Sequence, residues 1–242
     1  MSADVLILIP AFNEAASIGK VIAALPGEWH RGVIVADNNS TDATAQVAAE
    51  AGAVVVPATR QGYGSACLAA MAHVEAMERP PEVVCFLDAD FSDSPEQLPL
   101  VVGPILEGEY DFVLASRMMK RQPKGALLPQ AVFGNWLATR LIRLITGVKF
   151  TDLGPFRAIR WESLQALQMN DPDFGWTVEM QLKAARAGLR TLEVPADYKP
   201  RIGQSKITGT VSGTVRAGYK ILYTIARHAL VGKPRPSQEA TP

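Results

Sequence analysis

Short apolar runs rich in β-branched residues punctuate the first half of the chain: VLILI at 5–9, GVIVA at 32–36, AVVVP at 53–57, VVCFL at 83–87 and FVLAS at 112–116. Segments with helical patterning separate them. This alternation predicts βαβ units built around a mostly parallel sheet flanked by helices, an α/β class. Helix starts are legible between the runs. Ser40 and Thr41 are placed to cap a helix over Ala43–Ala51 that Gly52 closes. Ser94-Pro95-Glu96-Gln97 combines an N-cap serine, proline at the first helical position and glutamine three residues after the cap.

The second half has a different texture. A Lys- and Gly-rich loop, Lys120–Leu128, leads into PQAVFGNWLATRLIRLI, where Phe133, Trp136, Leu137, Leu141, Leu144 and Ile145 fall at helical spacing. A short strand is expected at 156–160, helices at 161–168 and 176–187, a strand at 193–199 and a final helix over Gly209–Val231. The last residues, GKPRPSQEATP, have the composition of a disordered tail. With 242 residues, 48% of them hydrophobic, the chain can build one large core. The expected division is a catalytic domain over 1–208, an amphipathic C-terminal helix over 209–232 and the tail over 233–242.

Cys67 and Cys85 sit in apolar surroundings without CxxC spacing, so neither a disulfide framework nor a zinc site is expected, and a reducing cytoplasm is inferred. His30, His73 and His228 are scattered. The first apolar run stops at Pro10, after Asp4, which does not read as a signal peptide, and no stretch is long enough for a transmembrane helix. The formal net charge of zero conceals a division. Phe112–Thr151 holds no Asp or Glu but carries Arg117, Lys120, Arg121, Lys124, Arg140, Arg143 and Lys149, and Tyr198–Gln238 is again free of acids. Two such blocks suit an anionic substrate or an anionic membrane surface. No nucleic-acid partner is expected.

In an open parallel sheet, ligands bind beyond the carboxyl ends of the strands. Here those ends read Pro10-Ala11-Phe12-Asn13-Glu14, Asp37-Asn38-Asn39-Ser40-Thr41-Asp42, Arg60-Gln61-Gly62-Tyr63-Gly64 and Asp88-Ala89-Asp90. Asp88 and Asp90 stand two apart, which in extended chain puts both carboxylates on one face, able to grip one ion. Mg²⁺ or Mn²⁺ suits such a pair, because it completes its octahedron with substrate phosphates and water. Gly62 and Gly64 would let backbone approach a ligand closely. Asp42 has a simpler reading as a helix cap.

In their order, IPAFNEAASIGKVI, VIVADNNSTDAT, GYGSACLAAM, FLDADFSDSPEQL and LASRM resemble the family 2 glycosyltransferases of GT-A (Rossmann-like) fold, within them the dolichyl-phosphate mannose or glucose synthase-like group. The resemblance covers about 4–210. It implies a metal-assisted, inverting transfer of a hexose from a UDP- or GDP-sugar. By it, Pro10, Phe12 and Glu14 hold the nucleoside, Asp37 contacts the base, and Asp88 and Asp90 hold the ribose and the metal that bridges the diphosphate. Arg117 faces the acceptor. DLGPFRAIR resembles the family's Asp-x-x-x-Gly-Phe-Arg block with a proline inserted, which places Asp152 and Arg157 near the sugar or acceptor. IGQSK resembles its Gly-x-Ser-Lys signature, making Arg201, Ser205 and Lys206 phosphate-binding candidates.

The chain departs from the group at Ser92, where a further glutamine ligand is usual, and the group's multi-span membrane extension is not expected in this sequence. A polyprenyl or dolichyl phosphate acceptor would give the basic half an anionic headgroup to receive, at the cytoplasmic face of a membrane. Pro129–Ile145 and, more weakly, Gly209–Val231 have the make-up of interfacial helices. A phosphate acceptor is already nucleophilic. A hydroxyl acceptor, on a saccharide or small metabolite, would need a general base, with Glu179 or Asp152 as candidates. A non-catalytic nucleotide-sugar-binding module would share the fold. Neither a sugar-nucleotide pyrophosphorylase nor a Rossmann dehydrogenase fits, since PAFNE stands where either needs a glycine-rich loop.

Overall fold

The computed structural model describes residues 3–203 and 211–230. Its strands are β1 (Val5–Ala11), β2 (Gly32–Asp37), β3 (Val54–Pro57), β4 (Val83–Phe86), β5 (Phe112–Ser116), β6 (Arg157–Arg160) and β7 (Thr191–Pro195). They form one seven-stranded sheet in the order β3-β2-β1-β4-β6-β5-β7. Neighbours pair in parallel except β6, which runs antiparallel between β4 and β5. The helices are α1 (Ile18–Ala23), α2 (Thr44–Glu50), α3 (Tyr63–Glu75), α4 (Leu98–Leu106), α5 (Pro129–Thr146), α6 (Trp161–Leu167), α7 (Trp176–Arg186) and α8 (Val211–Leu230).

The pleat sorts each apolar run onto two faces. Leu6, Leu8, Ile34, Val84, Phe86 and Leu114 point to the side covered by α3, α5, α6 and α7, where Phe86 meets the edge of Trp176 at 5.9 Å. Val5, Ile7, Ile9, Val33, Val35, Val83 and Cys85 point to the side covered by α1, α2 and α4. Both faces are dry, so the central strands read as continuous apolar runs. From β1 the chain winds outward to β3 and returns to β4 on the other flank of β1. That reversal opens a crevice beyond the carboxyl ends of β1 and β4.

Several local expectations give way to longer-range bonds. Ser40 and Thr41 do not cap α2: the Ser40 hydroxyl accepts the Asn13 N–H at 2.9 Å, and the Thr41 N–H donates to Asn13 Oδ1 at 2.7 Å. The acceptor at the start of α2 is Asp42, whose Oδ1 takes the Thr44 N–H at 3.0 Å. Ser94 makes no capping bond either. Pro95–Gln97 is a single 3₁₀ turn, and Gln97 reaches instead across the chain to Asp197, donating at 2.8 Å and accepting at 2.9 Å. The expected strand at 193–199 ends at Pro195. Beyond it the chain leaves the sheet edge and straps over the segment after β4, with Lys199 N–H on the Ser92 carbonyl at 2.7 Å and Ile202 N–H on the Asp90 carbonyl at 2.9 Å. The last helix lies on the α5–α7 side with Thr224 and Ile225 each 3% exposed. The tail expected at 233–242 lies outside the described residues.

Candidate active site

Side-chain bonds sew the loops after β1, β2 and β3 together. Beyond the Asn13 bonds just described, the Glu14 N–H donates to Thr44 Oγ1 at 2.7 Å. Asn38 donates to the Ala58 and Arg60 carbonyls and accepts the Gly62 N–H at 2.8 Å, fixing the path into α3. Of the four non-glycine residues with positive φ among the described residues, three follow the carboxyl ends of β1, β2 and β4: Asn13 (53°), Asn39 (62°) and Phe91 (60°). Left-handed backbone at a bulky Phe costs energy and persists where surrounding bonds over-determine it, as at binding sites.

Between the loops lies a cavity of about 430 Å³, the size of a small-molecule pocket. Pro10, Phe12, Glu14, Gly62, Asp88, Asp90 and Arg201, all singled out in the sequence, line it together. Asn38, Gln61, Tyr63, Asp173, Phe174 and Arg216 line it as well, though the sequence assigns none of them an individual role. Asn38 carried a signal in the polar run after β2. Asp173 and Phe174 carried none, because they arrive from the α6–α7 loop, and Arg216, from α8, carried only its place in the acid-free block Tyr198–Gln238. Asp37 ends β2 beside this group, with Oδ1 buried and lacking a hydrogen bond. Ser205 and Lys206 lie outside the described residues.

The two carboxylates of the acidic turn differ. Asp88 has a buried Oδ1 without a hydrogen-bond partner. Burial, reinforced by the Asp90 charge, pushes its carboxyl up to about 7. Asp90 is bound on both oxygens: Oδ1 accepts from the Ser92 N–H and hydroxyl at 2.9 and 2.5 Å, and Oδ2 lies 3.2 Å from Arg201. Ser92 thus steadies Asp90. Asp93 is 4% exposed rather than solvated at a helix end, and burial, then the charge of Asp88, raises its carboxyl well above the usual range.

Gly62 and Gly64 admit close backbone, but what approaches is the chain itself. A Cβ on Gly64 would stand 2.0 Å from the Asp171 carbonyl oxygen, and one on Gly62 (φ 135°) 2.3 Å from that of Pro172. Gly64 does not line the cavity; it lets the 171–174 loop close the wall. Gly64→Ala is therefore expected to cost roughly 1–3 kcal/mol, as overpacking against backbone does. Calorimetry would show a melting point several degrees lower; an unchanged one would mean that the loop shifts freely.

The remaining candidates lie behind the cavity. Asp152 is fully buried and receives the Arg117 N–H, Nε and Nη2 at 2.8, 2.8 and 2.7 Å. Burial alone would raise its carboxyl, but the Arg117 guanidinium and nearby N–H groups hold it below the ordinary range. Arg157, fully buried, spends its guanidinium on the carbonyls of Leu153, Gly154 and Thr177, and burial brings it down to about 10. Glu179, 1% exposed, accepts the N–H groups of Asn170 and Asp171 and pairs with Lys183 at 2.8 Å. It anchors the loop that carries Asp173 and Phe174.

Comparison with known proteins agrees with this geometry. The model of "Glycosyl transferase family 2" matches residues 6–167. An uncharacterized glycosyltransferase of Mycobacterium tuberculosis is 35% identical over 215 residues, spanning 88% of this chain and 94% of the relative. An undecaprenyl-phosphate mannosyltransferase of Micrococcus luteus is 30% identical over 227 residues, spanning 86% and 89%. The crystal structure of glucosyl-3-phosphoglycerate synthase from Mycobacterium tuberculosis with Mn²⁺, UDP and phosphoglyceric acid superposes with a TM-score of 0.73 at 23% identity, covering 96% of this chain and 80% of that one. The mixed seven-stranded sheet is thus the GT-A fold, and the chain belongs to glycosyl transferase family 2.

Proposed function

We propose that the protein transfers a hexose from a UDP- or GDP-sugar to a polyprenyl phosphate at a membrane surface, with Mg²⁺ or Mn²⁺ held by Asp88 and Asp90. The observation that carries the donor half is the meeting of Asp88, Asp90, Glu14 and Arg201 in one cavity at the switch point of the sheet. A buried carboxylate oxygen without a partner, Asp88 Oδ1, fits a cation. Among the described residues no group of three or more His, Cys, Asp or Glu is arranged to hold a metal ion by itself. That fits an ion which keeps coordination places for a diphosphate and water. When bound, such a cation supplies Lewis acidity for the departing nucleoside diphosphate. Phe12 and Tyr63 offer aromatic surface to a base, and Arg201 and Arg216 are the cations that line the same cavity.

Two observations favour a phosphate acceptor. Asp152 and Glu179, the carboxylates that could have served as general base for a hydroxyl, are both consumed by internal bonds. A phosphate oxyanion needs no base. In addition, α5 and α8 pack together and leave Phe133 (63%), Trp136 (51%), Leu144 (82%) and Tyr219 (70%) exposed, with Arg140 stacked over the Trp136 ring at 5.5 Å. Exposed aromatics beside arginines, in a stretch without acids, suit an anionic lipid interface. No helix among the described residues is long and apolar enough to cross a membrane. The Micrococcus luteus relative, named for an undecaprenyl-phosphate acceptor, points the same way.

The test is product analysis with UDP- and GDP-hexoses, Mn²⁺ and vesicles containing undecaprenyl phosphate, against free sugars and phosphorylated metabolites. Lipid-linked hexose is expected. Product on hydroxyl acceptors alone would sink the lipid reading, and nucleotide binding with no product on any acceptor would leave a binding module. A thermal-shift comparison of UDP and GDP, each with and without Mn²⁺, identifies the base, because binding only the folded state raises its stability.

A further inference from the structure

A cation at the acidic turn needs an oxygen from Asp90, and the chain already uses both. Oδ1 is pinned by two bonds from Ser92, a residue 1% exposed. Among the described residues Oδ2 is held only by Arg201 Nη1 at 3.2 Å, while Arg201 Nη2 donates to Glu14 Oε1 at 2.7 Å. Arg201 arrives there on the strap that follows β7, tied by the Ile202 N–H to the Asp90 carbonyl. Its side chain is 27% exposed and lines the cavity, so it can reorient without unpacking the core.

Taking Oδ1 would strand two buried donors of Ser92; taking Oδ2 displaces one partly solvated guanidinium. The second route costs less, since an unsatisfied buried donor carries its full desolvation penalty. A guanidinium and a divalent cation on the same oxygen repel each other. Once displaced, the fork of Arg201 stays in the cavity wall, suited to bidentate contact with a diphosphate.

We propose that Arg201 is an internal counter-ion of this site: it exchanges from Asp90 and Glu14 to the donor's diphosphate as the divalent cation takes Asp90 Oδ2, so cation and nucleotide bind with positive coupling. Ser92 fixes which oxygen exchanges. The inference rests on the nucleotide-sugar reading of the cavity.

The experiment is calorimetric titration of the full chain with MnCl₂, with UDP and GDP in parallel, each alone and in the presence of the other. For the wild type, nucleotide is expected to raise Mn²⁺ affinity about tenfold or more, within the usual range of coupling between sites. Arg201→Met, which keeps length and removes charge, is expected to bind Mn²⁺ alone about tenfold tighter and to reduce the coupling to about twofold. Mn²⁺ binding in that variant no tighter than wild type, or coupling intact, overturns the exchange. Should Arg201→Met fail to fold, Ser92→Ala decides. Removing the hydroxyl leaves Oδ1 held by the backbone N–H of residue 92 alone, so the cation can compete for it with Arg201 in place; coupling should fall, and coupling at the wild-type level overturns the proposal. Wild-type protein that binds neither nucleotide with Mn²⁺ defeats the donor reading itself, a different result from nucleotide binding without coupling.

Discussion

Asp90→Asn is expected to lower metal-dependent glycosyl transfer by roughly 10²–10³-fold, the scale seen when one preorganised electrostatic contact to a transition state is removed. The amide keeps the shape of the side chain and an oxygen for the two Ser92 donors, so the turn through Phe91 should hold. What it loses is the charge facing the cavity and, with it, the ion pair to Arg201 at 3.2 Å, whose guanidinium is partly solvated and can turn to Glu14 alone. The same substitution removes a like charge that helps to keep the Asp88 carboxyl near 7. Folding should therefore be unharmed or slightly improved while chemistry fails. Steady-state rates with Mn²⁺, set beside melting temperatures, check both halves. Near-normal turnover would remove Asp90 from the site, and a collapse of the melting temperature would recast it as a structural residue.

The strands of the first half were legible because burial on both faces forces uninterrupted apolar runs, and their polar ends marked the edge where the cavity lies. The antiparallel insertion of β6 between β4 and β5 had no local signature: FRAIR reads as a strand, but nothing in it names its neighbours. Caps failed for a related reason. Ser40, Thr41 and Gln97 found partners 27, 28 and 100 residues away, which propensity over a short window cannot foresee. At the site, residue type showed where charge gathers and not which charge is spent. Asp90, Asp152 and Glu179 are all acids in suggestive motifs, yet Asp152 and Glu179 are absorbed by Arg117 and by backbone N–H groups. The glycines signalled a close approach correctly in kind, while the approaching group at Gly64 is the Asp171 carbonyl.

Arg117→Met is expected to cost about 3–5 kcal/mol at neutral pH, because breaking a buried pair leaves an uncompensated charge. Asp152 is fully buried and Arg117 only 17% exposed, so water cannot replace the guanidinium. The pH dependence identifies the cause. In the wild type the Asp152 carboxyl lies below its unfolded value, so the pair's stabilisation is present above that value and fades as pH falls. Without Arg117, burial dominates and the carboxyl rises above its unfolded value. The variant's penalty is then full at neutral pH and shrinks on acidification, as the proton removes the buried charge. Asp93, already raised by burial, also loses the lowering influence of Arg117, which pushes the variant the same way. Glu193, raised by burial while accepting the Asp152 N–H, titrates in both proteins and largely cancels in the difference. Urea unfolding at pH 7 and pH 5 should therefore show a gap between wild type and variant that is wide at the higher pH and narrower at the lower. Adding Asp152→Asn should recover a large part of the loss at pH 7, since an amide needs no counter-ion. A gap that is equal at both pH values, or a double variant no better than the single, would show that Arg117 stabilises by packing on Tyr198, whose ring lies 5.0 Å away, and not by charge.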